Sequence, residues 1–337
     1  MLHLRRLSRF LRLAAAGATV AIPLLGAVTA QQPTSLATVL AIGAIGLVHH
    51  VFSFVLNDVV DLPIDRTEPR RSPSPLVQGL VSSRLALVVA LLCAPLALWL
   101  SSLLGAGALA QGLLLGSLVM IAAYDVWGKK TPIPPVIDVV QGVGWALLAC
   151  YGAEIAGGAT PATALLAVFM VGYITLANGV HGGLRDLEND GRHGARTTAL
   201  FLGAVAMGSG AVSSPPGLRR YALVLETVNT IVVGMMIVAL GYQGWALAVV
   251  AAAWVGMSAA SAWLLRRALA ATAERQRMMV LGTGHLIASF GVALVVLVPV
   301  APPAVSAFVV AVYAAPLLAY GWLFDSILRV AEPRSAR

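Results

Sequence analysis

From about residue 12 to residue 327 the sequence is a nearly unbroken series of apolar runs, each about 20 residues long. A helix of that length spans the ~30 Å hydrocarbon core of a bilayer. Strands cannot leave backbone N–H and C=O groups unpaired in lipid, so the runs must be helices. Ten are predicted, at about 12–30, 35–57, 83–103, 105–125, 136–154, 161–182, 219–240, 244–265, 279–300 and 304–327. Composition agrees: 59% of residues are hydrophobic and 11% charged, against roughly a quarter charged in soluble domains. The fold class is therefore all-α, a polytopic transmembrane helical bundle, with residues 1–337 forming a single integral membrane domain.

The basic residues predict its orientation. With the N-terminus in the cytoplasm, the inner segments are 1–12, 58–84, 126–135, 183–220, 266–278 and 328–337, and all 22 Lys and Arg fall there. Outer turns such as QQPTS and GAEIAGGATP carry none. This is a complete positive-inside pattern, placing the chain in the inner (cytoplasmic) membrane. The net charge of +8 is thereby explained by topology and calls for no nucleic-acid partner. It also suits an anionic ligand or the inner leaflet.

Two other signals are weaker. MLHLRRLSRF, an apolar run and AVTA together look like a secretory signal, but the next segment must enter in the opposite orientation in any case, so the first helix is read as retained. Cys93 and Cys150 both fall inside predicted helices. That leaves neither a disulfide framework nor a Cys-based metal site.

The acidic residues cluster on one face. Four lie in 58–68, at the end of the second helix, and three in the DLEND stretch that ends the sixth. Asn57, Asp61 and Asp65 are spaced i, i+4, i+8 and share a helical face, although Pro63 should kink or end the helix there. Asp186 and Asp190 are likewise i, i+4. Unpaired carboxylates held this closely repel, and burying them costs several kcal/mol. A hard divalent cation removes the conflict: Mg2+ takes one or two carboxylates, keeps waters and completes its shell with phosphate oxygens. Arg70, Arg71, Lys129, Lys130, Arg192 and Arg196 lie on the same membrane face and suit the rest of a diphosphate. The loops concerned are 58–84 and 183–218. The plainer reading is a solvated loop whose acids and arginines pair with one another, worth little. Two such clusters, each ending a long helix on one face, favour the metal.

These residues resemble the UbiA superfamily of intramembrane prenyltransferases. Asn57-Asp58-Val-Val-Asp61-Leu-Pro-Ile-Asp65 is similar to its NDxxDxxxD motif, and Asp186-Leu-Glu-Asn-Asp190 to its DxxxD motif. The following Gly194-Ala-Arg196-Thr197-Thr198 also resembles the family, as do Tyr124, Lys129 and Lys130 after the fourth helix. The resemblance covers about 50–200. It implies Mg2+ held by Asn57, Asp61, Asp65, Asp186 and Asp190, binding a polyprenyl diphosphate whose tail lies in a central cavity open to lipid. It also implies nine spans where ten are counted here. The family's Arg-Pro pair before the first loop's glycine is replaced by Ser74-Pro75-Leu76-Val77-Gln78-Gly79, so Arg70 or Arg71 must supply that charge.

Within this reading, ionisation of an allylic diphosphate leaves a cation that aromatic faces stabilise. Tyr124, Trp127, Trp145, Tyr151 and Tyr173 are candidates, each against a background of ordinary packing. Other polar residues interrupt the spans: His49, His50, Asn178, His181, Glu226, Asn229 and His285. His50 and Ser53 are expected to face the same cavity as Asn57. Glu226 and Asn229, one turn apart, are expected to meet an acceptor's hydroxyl or take its proton; the alternative is a hydrogen bond between helices. The leading function is prenyl transfer from an isoprenyl diphosphate to a small, aromatic acceptor. The alternative is a terpene synthase of the same superfamily, acting on the diphosphate alone. A transporter fits less well, because transporters bind near the midplane and these clusters sit at helix ends.

Overall fold

The computed structural model describes the backbone of residues 2–208 and 210–329 and the side chains of 6–208 and 210–319. The end of the expected last inner segment, 330–337, lies outside the described residues. All ten apolar runs are helices: α1 (Leu13–Val28), α2 (Leu36–Val60), α3 (Ser83–Leu103), α4 (Ala108–Trp127), α5 (Pro134–Ile155), α6 (Pro161–Arg185), α7 (Pro216–Ala239), α8 (Gly244–Ala268), α9 (Arg275–Leu297) and α10 (Pro303–Arg329). Eight are long and apolar enough to cross a membrane, and α1 and the first part of α10 are shorter apolar helices. The protein is a multi-pass membrane protein with an all-α spanning region.

Local chemistry sets the helix starts. Ser35 and Ser82 accept from the backbone N–H groups of Thr38 and Leu85, and Thr160 and Thr163 form a reciprocal capping box at the head of α6. Proline begins α5, α6 and α7, where its missing N–H is not needed.

Helix α1 is the pillar of the bundle, packed against α2, α5 and α10. Gly26 of α1 and Gly152 of α5 bring the two backbones into contact: a Cβ on Gly26 would overlap the Ala149 carbonyl, and one on Gly152 the Pro23 carbonyl. Without a hydrophobic force between helices in lipid, such close dispersion contact is a main source of association. By contrast, α8 packs chiefly on α9 and only 17% of its most apolar window is buried, so it presents most of its surface outward.

Two features depart from a plain bundle. A three-stranded antiparallel sheet, β1 (Val205–Ala206), β2 (Ala211–Ser213) and β3 (Thr272–Glu274), pairs Val205 with Ser213 and Val212 with Ala273. It joins the α6–α7 loop to the α8–α9 turn, and such edges can exist only outside the hydrocarbon. Within α6, residues Leu176–Gly182 form a π-helical turn, a local widening often found at functional sites.

Candidate active site

The two acidic motifs meet over a cavity of about 330 Å³ in the middle of the bundle. Its wall is formed by α1, α2, α4, α5, α6, α9 and α10, with Ser53, Asn57, Asp61, Asp186 and Asp190 among the lining residues.

The first motif survives its proline. Helix α2 ends at Val60, and Leu62–Asp65 forms a separate turn with Pro63 in its first positions. The Asp61 N–H donates to the Asn57 carbonyl and the Asp65 N–H to the Asp61 carbonyl, both at 2.9 Å. Asn57 and Asp61 line the cavity, whereas Asp65 is buried and is not a lining residue. In the second motif the Asp190 N–H donates to the Asp186 carbonyl at 2.9 Å. Asn189 fastens the two motifs together: its Nδ2 donates to the Ile64 carbonyl at 3.0 Å, and its Oδ1 accepts from Thr67 at 3.1 Å.

Basic groups fill the space between the carboxylates. Lys129 Nζ lies 3.1 Å from Asp61 Oδ2 and 3.3 Å from Asp190 Oδ1, bridging the motifs. Arg71 pairs with Asp65 at 3.5 Å and Asp58 at 4.0 Å. Arg70 pairs with Glu68 at 2.9 Å and Asp186 at 3.2 Å. Arg196 lines the cavity, and its N–H donates to the Lys129 carbonyl at 2.9 Å. Of the two arginines expected to supply the first loop's charge, Arg71 lines the cavity and Arg70 pairs with Asp186 of the second motif.

These pairings shape the proton affinities. Burial pushes the Asp190 carboxyl up to about 6, with Lys129 opposing. Burial also raises Asp65, against Arg71. Asp186 goes the other way: burial would raise it, but the Arg185 guanidinium, with Arg71 and Arg70, holds it below the usual carboxylate range. Lys129 is raised, because Asp61 and Asp190 outweigh its burial.

The donor set fits a hard cation. Asn57, Asp61, Asp65, Asp186 and Asp190 offer only oxygen, and a single ammonium already spans Asp61 and Asp190. Among the described residues, no three acidic, His or Cys groups converge on one point.

Several predicted residues lie elsewhere. Lys130 and Arg192 are exposed and do not line the cavity; Arg192 pairs with Glu188, four residues back. His50 is fully buried and lies off the cavity, its ring held by Thr19 Oγ1 at 2.8 Å and the Leu11 carbonyl at 2.9 Å. It fastens α1 to α2. Glu226 also lies off the cavity. Its Oε1 accepts from Ser261 at 2.6 Å, and its Oε2 is 3.2 Å from His285 Nε2. His285 Nδ1 is in turn 2.9 Å from His181 Nε2. His181 is not a lining residue either, though its neighbours Asn178 and Gly182 are. Asn229 is buried against Gly172 of α6, where a Cβ would overlap its amide. Asn178 does line the cavity, its amide donating to Gln141. Of the aromatic candidates, Tyr124, Trp145 and Tyr173 are on the wall; Trp127 is 59% exposed and Tyr151 is packed in the core.

Other site residues were not singled out from the sequence. Asp58, inside the first motif, is buried and paired with Arg12. Arg12 adopts φ 47°, a left-handed conformation uncommon outside glycine, at the turn into α1. Asp138 is buried on the wall and accepts from Thr198. Asp125 is buried beside Asn57. The available signal was their residue type: a carboxylate at the inner end of an apolar span is costly.

Residues 17–283 match the UbiA prenyltransferase family. The chain belongs to that family. Among solved structures, a UbiA homolog from Archaeoglobus fulgidus bound to GPP and Mg2+ has a TM-score of 0.62 and 16% identity, covering 85% of this chain and 98% of its own. The apo UbiA homolog from Aeropyrum pernix K1 has a TM-score of 0.57 and 17% identity, covering 90% and 97%. A digeranylgeranylglyceryl phosphate synthase has a TM-score of 0.60 and 16% identity, covering 93% and 100%. At these identities the likeness is one of fold. No curated protein matches the sequence. The UbiA match takes in both acidic motifs and Lys129.

Proposed function

We propose that this protein is a Mg2+-dependent intramembrane prenyltransferase. It moves a prenyl group from an isoprenyl diphosphate to a small aromatic acceptor and releases diphosphate, with its active-site loops on the cytoplasmic side of the inner membrane. The observation that carries this reading is Lys129, whose ammonium joins Asp61 and Asp190 at the cavity. Family membership supports it, as do the A. fulgidus homologues bound to GPP or DMAPP with Mg2+.

Mg2+ bound at the two motifs supplies charge neutralisation for the leaving diphosphate. Asn57, Asp61, Asp65, Asp186 and Asp190 are the residues that would hold it. Lys129, Arg71 and Arg196 stand on the same wall and bind diphosphate oxygens, so negative charge developing on the leaving group meets fixed positive charge. The allylic C–O bond breaks with its electron pair going to diphosphate, an acceptor ring carbon forms the new C–C bond, and the proton it loses passes to the released diphosphate or water. Tyr124, Trp145 and Tyr173 line the cavity and are the aromatic groups available to stabilise the cation. The apolar remainder of the wall receives the prenyl tail.

The test is product identification from purified protein, Mg2+ and isoprenyl diphosphates of several lengths, with and without a phenolic acceptor. Prenylated acceptor is the expected result. A cyclised hydrocarbon or terpene alcohol from donor alone would assign the chain to the cyclases instead.

A further inference from the structure

Asp125, the residue after Tyr124 on α4, is 7% exposed and lies on the cavity wall beside the first motif. Its Oδ1 is 3.2 Å from Asn57 Nδ2. Its Oδ2 is buried and has no hydrogen-bond partner among the described residues. When ionised the group only accepts, so it selects the amide nitrogen of Asn57 and turns the Asn57 carbonyl oxygen away from α4. A carboxylate with one oxygen unsatisfied is costly in such a place, and a tie between two helices needs no charge. Both facts are accounted for if something cationic faces Asp125.

We propose that Asp125 belongs to the metal-holding set as a positioning residue. Oδ1 fixes the Asn57 amide so that its oxygen is presented to a divalent cation, and Oδ2 accepts from water on that cation or adds a carboxylate oxygen to it. This rests on the metal reading above. Partners that orient a ligand are worth about 10- to 100-fold in metal affinity.

Mn2+ is a suitable probe, its free concentration followed by electron paramagnetic resonance during titration of the purified full chain, without donor or acceptor. Wild type and Glu154→Gln, at the opposite end of the bundle, are expected to bind alike. Asp125→Leu should bind about 10-fold or more weakly. Asp125→Asn should lose less, since its amide oxygen still accepts from Asn57. Thermal unfolding without metal separates lost affinity from lost fold, and Asp125→Asn carries the test if the leucine variant does not fold. Wild-type Mn2+ affinity in both Asp125 variants would overturn this inference alone, whereas absence of Mn2+ binding in wild type would remove the metal reading on which it rests.

Discussion

Arg70 Nη2 stands 3.2 Å from Asp186 Oδ1, so the loop after α2 is tied to the loop after α6 through a residue of the second motif. The same guanidinium donates to the Arg185 carbonyl at 2.8 Å, and Arg275 at the start of α9 donates to that carbonyl at 2.7 Å. The second motif is therefore gripped from two sides. A substitution at Asp186 is therefore expected to disturb more than a ligand.

Asp61→Ala and Asp186→Ala are each expected to bring turnover below detection, because each removes an oxygen donor no neighbour replaces. They should differ in stability. Loss of Asp186 leaves Arg185 without its carboxylate and Arg70 with Glu68 alone, so its melting temperature should fall further than that of Asp61→Ala. Near-normal turnover in both would dismiss the two-motif site.

Lys129→Met should weaken binding of inorganic diphosphate with Mg2+ by about 10- to 100-fold, the value of a charge-assisted hydrogen bond of about 1.5–3 kcal/mol. Lys129→Arg keeps the charge and should lose less. Isothermal titration of detergent-solubilised protein checks both. Unchanged affinity in Lys129→Met would place the diphosphate elsewhere.

Metal affinity should fall in acid. Burial raises the Asp190 carboxyl to about 6 in the metal-free protein, and a cation competes with that proton. Above pH 6 the carboxylate is already ionised and affinity is flat. Below it, each cation bound must displace a proton, so affinity drops by up to about tenfold per pH unit. Mn2+ titrations at pH 5.0 and 7.5 read the difference directly; equal affinities would exclude Asp190 as a ligand.

Orientation can be read by cysteine labelling. Ser72 and Met207 are exposed on the motif-bearing side and Gln32 on the other. Ser72→Cys and Met207→Cys should label only in inverted vesicles, and Gln32→Cys in intact cells. External labelling of Ser72→Cys or Met207→Cys would reverse the topology.

The helices were legible because apolar length is a sufficient signal in lipid: every predicted span is helical. The i, i+4 spacing of Asn57, Asp61 and Asp65 was legible too, since backbone hydrogen bonding continues past Pro63. Spacing does not reveal which long side chain turns inward. Lys129 and Lys130 are adjacent, yet only Lys129 reaches the acids, because the helix end at Trp127 sets their directions. Nor does a lone carboxylate disclose its partner. Glu226 and Asp125 both interrupt apolar helices, but one faces His285 and the other Asn57, a distinction made by packing between helices distant in sequence. The small sheet escaped notice because its strands are two or three residues long.

Glu226 gives the last prediction, and it differs from the one its position in the sequence invites. As an acceptor-binding group, its loss would slow alkylation directly. In the fold it is 4% exposed, bonded to Ser261 and His285, and off the cavity wall. Glu226→Leu therefore leaves the Ser261 hydroxyl and one ring nitrogen of His285 without this partner, and an unsatisfied buried polar group costs about 1–3 kcal/mol. The expected outcome is a marked fall in melting temperature with diphosphate binding unchanged, since the metal motifs are untouched. Glu226→Gln keeps a side-chain oxygen for Ser261 and should destabilise less. Calorimetry beside diphosphate titration separates the two roles: a stable Glu226→Leu protein with weakened diphosphate binding would return Glu226 to the cavity.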